Sequence, residues 1–283
     1  MPAKLLLRYL LFACCLGLLS ACDATYPART LTQQLTKLIK EEEKISATVH
    51  ISGQTLWIYV PLENLVDEKN MTWDTAGLEK INQVMGIVHR VILSTDAKLN
   101  FLALVGADVK KYGLEITAIE YIPDVKEAIL EKFSRGEFFR RSVKDVDFNP
   151  NAVNDVLGES KRFYNISFEQ FLSLQIIHRA KTIFLKDKAL QKLFEIKSSS
   201  WSEKFGVLKI DIEFLHKTYD LSQEEAKVKP LDYMRMIAAE VFKNYDFKTF
   251  QELQMTDTFS SDTIKILPGD IKNIKIKLPE ILD

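Results

Sequence analysis

The hydrophobic period of this chain switches between two residues and 3.6 in a fixed order, and that order limits the fold more than any single motif does. Residues 47–60 read as a hairpin: Val49 and Ile51 alternate with polar neighbours, Gly53-Gln54 supplies the turn, and Leu56, Ile58 and Val60 face away from Trp57 and Tyr59 before Pro61 ends the run. Asp74 is placed to cap a helix over 75–93 that carries Leu78, Ile81, Met85, Val88 and Ile92 on one face, with Trp73 and Leu78 in the staple positions. Residues 99–107 and 114–121 form two more strand patterns around Lys110-Lys111-Tyr112-Gly113, and Pro123 opens the next helix in its favoured first position. Strand, strand, helix thus occurs twice in succession, although no residue-level repeat aligns the two. The pattern predicts an α+β fold of antiparallel sheets with helices packed on one face, in two layers.

The flanking segments extend this pattern. Thr30 and Gln33 have capping-box spacing ahead of an amphipathic helix to about Lys44, with Leu31, Leu35, Leu38 and Ile39 as its stripe and Glu41 to Glu43 as its solvated end. Ser167 and Gln170 repeat that spacing before a helix bearing Phe171, Leu174, Ile177 and Phe184. Leu208, Ile210, Ile212 and Phe214 alternate with charged residues as a strand with one wet face. Ser222 with Glu225 caps a short helix, Pro230 leads a longer one with Leu231, Met234, Ile237, Ala238 and Val241, and strand patterns at 264–266 and 274–278 close the chain. The polar stretch 145–165 is the one candidate boundary, between lobes 30–150 and 160–283. No Gly/Ser/Pro linker separates them, so 30–283 reads as one body or two tightly packed lobes.

Lys4 and Arg8 precede an apolar run from Tyr9 to Leu19, which is too short to cross about 30 Å of hydrocarbon and reads as a signal peptide. The string Leu19-Ser20-Ala21-Cys22 resembles the lipobox of bacterial lipoprotein precursors, a resemblance confined to residues 1–22. It implies that 1–21 is cleaved, that the Cys22 thiol receives a diacylglyceryl group, and that palmitate-class chains hold 22–29 as a tether to a membrane. Two or more acyl chains make such anchoring stable. Seven residues from Asp23 to Arg29 reach at most about 25 Å. Asp23 resembles the retention signal of inner-membrane lipoproteins in enteric bacteria, which implies the periplasmic face. Cleavage would remove Cys14 and Cys15, leaving one thioether-bonded cysteine and no disulfide or cysteine-ligated metal. The 38 basic and 39 acidic residues become 36 and 39 without Lys4 and Arg8, a balance that argues against nucleic acid as a partner.

Catalytic signatures are sparse. The chain has no Gly-x-Ser-x-Gly and no phosphate-cradling glycine loop, so no cofactor is expected. His50, His89, His178 and His216 are scattered, without metalloprotease spacing, and structural or surface roles are the default for each. The run Asp145-Val-Asp147-Phe-Asn149-Pro150-Asn151 has alternate oxygen ligands, but Pro150 and Val156 stand where a calcium loop needs Gly and Glu, and Asx turns explain the same residues. Arg135, Arg140, Arg141 and Lys144 are interleaved with Phe133, Phe138 and Phe139, which makes these four basic residues candidate lipid contacts at a helix end. The alternative is a helix terminus whose cations answer the dipole. Lys265, Lys272, Lys275 and Lys277 read as gatekeepers on edge strands.

The expectation is therefore a membrane-anchored envelope lipoprotein with a non-catalytic binding or scaffolding role, its partner an envelope protein or small ligand. The alternative is an envelope hydrolase with a dispersed active site and His178 or His216 as base. Labelled fatty acid should be incorporated into the wild-type protein and lost in Cys22→Ala; label retained by the variant contradicts the anchor.

Overall fold

Buried residues run almost without interruption through two neighbouring strands, β2 (Thr55–Leu62) and β5 (Phe101–Asp108), and the architecture follows from the need to cover both their faces. The computed structural model describes residues 25–70, 72–217 and 228–279. β1 (Thr48–Ser52) pairs antiparallel with β2 across Gly53-Gln54. β2 then pairs with β5 in parallel, which requires a crossover, supplied by α2 (Thr75–Ile92) after the short ladder of β3 (Val66–Asp67) and β4 (Thr72–Trp73). β6 (Leu114–Tyr121) returns antiparallel to β5. Leu56, Ile58, Val60, Leu102 and Leu104 pack under α2 and α1 (Leu31–Glu43), whereas Trp57, Tyr59, Phe101, Ala103 and Val105 point into a second core.

That second core is supplied by a repetition of the same topology. α5 (Phe168–Lys186) and α6 (Lys188–Leu193) precede the hairpin of β8 (Phe194–Lys204) and β9 (Val207–His216); α7 (Pro230–Asn244) leads to β10 (Glu252–Asp257), parallel to β9, and β11 (Thr263–Ile266) closes antiparallel. Helix, hairpin, crossover helix, parallel strand, antiparallel strand therefore occurs twice, and α5 pairs with α7 as α1 pairs with α2. The result is layered: α1/α2, the first sheet, α5/α7, the second sheet, with one continuous core joining the last three. α5 lies inside this stack, which explains why Phe171, Leu172, Ile176, Ala180 and Phe184, spread around its circumference, are all buried.

Between the two units lies an addition that only the first carries among the described residues: α3 (Ile122–Ile129), α4 (Arg135–Arg141) and β7 (Val143–Phe148), which extends the first sheet to the order β1-β2-β5-β6-β7.

The α+β class with antiparallel-rich sheets and helices packed on them stands, as do α1, α2, α5, α7 and the first hairpin. One-sided coverage holds for the second sheet, where Lys209 is exposed and Leu208, Ile210 and Ile212 are buried. It does not hold for the first, where the apolar runs of β2 and β5 need a layer on each side. The stretch 145–165 is no linker: β7 pairs through Phe148, and the segment after it is fastened across β2 by Trp57 Nε1 to the Tyr164 carbonyl (2.7 Å), Tyr59 hydroxyl to the Asp155 carbonyl (2.8 Å) and Ile166 N–H to Thr55 Oγ1 (2.8 Å). Residues 274–278 form no strand, because Ile274 and Leu278 turn onto the core instead of pairing. The Thr30 box does not form: a 3-10 turn over Ala28–Thr30 runs straight into α1, and the Thr30 hydroxyl donates to the Pro27 carbonyl. Ser167 Oγ does accept from Gln170 N–H, as its spacing predicts. The Ser222–Glu225 pair lies outside the described residues.

Two glycines should respond oppositely to alanine. Gly113 has φ +63°, and a methyl there would collide with the Asn149 carbonyl, so Gly113→Ala should lower stability by about 2 kcal/mol or more. Gly86 lies on the exposed face of α2 with nothing near its missing Cβ, so Gly86→Ala should raise stability by roughly 0.5–1 kcal/mol. Urea denaturation of both variants checks the pair.

Candidate ligand-binding cleft

The segment without a counterpart in the second unit builds the cleft. Pro123 and Ser134 start α3 and α4, the latter with Ser134 Oγ accepting from Glu137 N–H, and Glu131 at φ +55° lets the chain reverse between them. The two short helices stand against the end of α2 and border an open cleft of about 600 Å³ lined by Val125, Ala128, Ile129, Phe133 and Phe138, with His89, Glu131, Ser134 and Arg135 as its polar members. Behind its wall the His89 ring meets Glu120, Nε2 to Oε2 at 2.5 Å, and Glu120 is buried at the end of β6. This pairing holds the ring in one orientation. Phe138 meets the same imidazole edge-on at 6.2 Å between centroids.

One side of the cleft is locked to the second unit by a buried polar network. Asp124 accepts from the Tyr245 hydroxyl (2.5 Å) and from Arg141 Nη1 (3.2 Å), while Arg141 Nε donates to Glu137 (2.8 Å). Gln175 donates to the Tyr245 hydroxyl (3.1 Å) and to the Arg141 carbonyl, and Arg179 Nε donates to the Arg140 carbonyl (3.1 Å). Arg179 Nη1 also lies 2.9 Å from Glu240 as an ion pair, off the hydrogen-bond axis. Burial pushes the Asp124 carboxyl above its ordinary range, against the pull of Tyr245 and Arg141. Burial also acts to raise Glu137, but hydrogen bonds from Arg141 and Arg140 outweigh it and hold this carboxyl low. Burial first, and then Asp124, push the Tyr245 hydroxyl far up, so it serves as a donor.

The four candidate lipid contacts separate. Arg135 lines the cleft and lies over the Phe139 ring at 5.3 Å. Arg140 pairs with Glu137 at 2.9 Å and is half exposed. Arg141 is committed inward, with its guanidinium over Phe133 at 4.5 Å and only 15% of its side chain accessible. Lys144 lies over Phe139 at 4.3 Å. Cys22 and Asp23 lie outside the described residues.

The histidines are not brought together either. His50 stacks on Phe163, and the exposed His216 packs against Phe194 and Phe259. His178 is sunk in α5 against Lys144. Asp145 and Asp147 are residues of β7, and Asn149 accepts from Asn151 N–H in an Asx turn. Among the described residues no three His, Cys, Asp or Glu side chains gather to hold a metal, and no helix is long and apolar enough to cross a membrane.

Sequence reasoning missed His89–Glu120, Asp124, Tyr245, Gln175 and Arg179. The available signal was a polar residue beside apolar ones: Glu120 lies between Ile119 and Tyr121 at the end of a half-buried strand, and Gln175 and Arg179 sit one turn apart in the stripe of α5. The chain matches no known protein family, no curated protein and no solved structure.

Burial, and next the nearby Lys144 charge, push the His178 imidazole down to about 4. Between its unfolded pKa near 6.5 and about 4 the unfolded chain binds the extra proton, so stability is lost as pH falls through that window, by on the order of 2 to 3 kcal/mol. Urea midpoints of the wild type and His178→Gln at pH 7 and pH 4.5 should show a smaller acid loss in the variant.

Proposed function

We propose that this chain is a lipid-anchored envelope protein whose body binds, without chemistry, the apolar part of an amphiphilic ligand in the α3/α4 cleft. The observation that carries the reading is the state of the cleft's polar groups. Ser134 Oγ is occupied by Glu137 N–H, His89 by Glu120, and Arg135 lies over Phe139, while the remaining lining is largely aliphatic and aromatic. An apolar concavity with a few oriented polar groups is suited to binding. The location rests on the lipobox resemblance and the single cysteine it leaves.

A second reading has one observation in its favour: His89, held by Glu120 behind the wall, and Ser134 both line this cleft, the residue types of a hydrolytic site. Against it, the serine oxygen is already the cap of α4.

Titration with the fluorescent fatty acid cis-parinarate should give saturable one-site binding to the chain produced without its first 21 residues. Ala128→Trp, which fills the cleft, should weaken it about tenfold, equivalent to about 1.4 kcal/mol, with the circular dichroism unchanged. Equal binding by the variant, or none by the parent, overturns the proposal. Ester hydrolysis abolished by His89→Ala overturns it in favour of the hydrolase.

A further inference from the structure

The first described residues are fastened to one particular corner of the body. Tyr26 N–H donates to the Ser94 carbonyl (3.2 Å), Thr95 Oγ1 donates to the Tyr26 carbonyl (2.6 Å), and Ala28 N–H donates to Asp96 Oδ1 (2.6 Å). The tether is thereby shorter than the sequence suggests. From Cys22 to Tyr26 there are four residue steps, at most about 14 Å, so a lipid on the Cys22 sulfur holds the loop after α2 against the bilayer.

The same corner carries the cleft. His89 lies five residues before Ser94, about 8 Å along α2. The loop after α2 runs to Asn100, whose carbonyl accepts from Ile122 N–H at the start of α3, and Phe101 opposite Tyr121 marks this end of the first sheet. Large apolar side chains are left in water here: Leu93 is 47% exposed, Ile129 46% and Leu130 68%. Charges of both signs surround them, with Lys132 paired to Glu127 and Glu131 lining the cleft beside Arg135. A surface of this kind suits the boundary between headgroups and acyl chains better than a purely electrostatic contact.

We infer that this corner is the membrane-facing surface, with Leu93 and the Ile129-Leu130 turn inserted into the bilayer interface and the α3/α4 cleft opening towards its acyl chains. This rests on the lipid-anchor reading and names the source of the cleft's ligand as the bilayer itself. It also places the opposite end of the sheet, the β5–β6 turn at Tyr112, away from the membrane.

The test supplies the anchor chemically, so its outcome does not depend on whether cells lipidate Cys22. The chain from Cys22 onward is coupled through that thiol to maleimide-lipid in phosphatidylcholine vesicles, with or without bromine on the acyl chains. Emission of L130W and Y112W is read after subtracting the unsubstituted chain. Brominated vesicles should quench L130W and shift its emission to the blue, and leave Y112W unchanged. Equal quenching of both, quenching of Y112W alone, or quenching of neither overturns the orientation. If cis-parinarate fails to bind while L130W is quenched, the cleft reading falls and the orientation stands.

Discussion

The body depends on the parallel pairing of β2 with β5. A parallel pair needs a crossover, so α2 must lie on one face, and the strands are apolar on the other face as well. The first unit therefore cannot bury itself. Trp57, Tyr59, Phe101 and Val105 are completed by α5 and by the segment fastened across β2, both of which follow it in the chain. The stacking of two like units follows from this demand.

The inserted α3, α4 and β7 stand outside that repeat. Their attachment adds a buried polar network to the apolar contacts of Ile122, Val125 and Val143. Breaking a buried pair by removing one partner is costly, because it strands a charge, so Asp124, Arg141, Glu137 and Tyr245 specify one seating of α4 against α7. The cleft between α3, α4 and α2 inherits that fixed wall.

Local chemistry was legible where one element determines it. Asp74 and Ser167 cap their helices as their spacing predicts, and the wet face of β9 follows from its alternation. What the sequence hid depends on contacts between distant elements. The β2–β5 pairing is parallel only because of where α2 returns, and β8, whose run Ser198-Ser199-Ser200 has little apolar signal, is a strand because β9 pairs with it. The cleft was hidden for the same reason. The basic residues of 135–144 are an evident group in the sequence, yet Arg141 turns inward because Asp124 and Tyr245, 17 positions before it and 104 after, meet it there.

The second sheet, unlike the first, offers no apolar outer face on which further stacking could build. Its inner face is buried under α5 and α7, but its outer face presents Lys209, with Asp211 and Glu213 partly accessible on the same side. A third unit would need its helix pair to dock there, and desolvating those charges without partners opposes it. Were the three residues leucine or valine, the layering would have no terminus, and each molecule would offer the next a ready platform for open-ended growth.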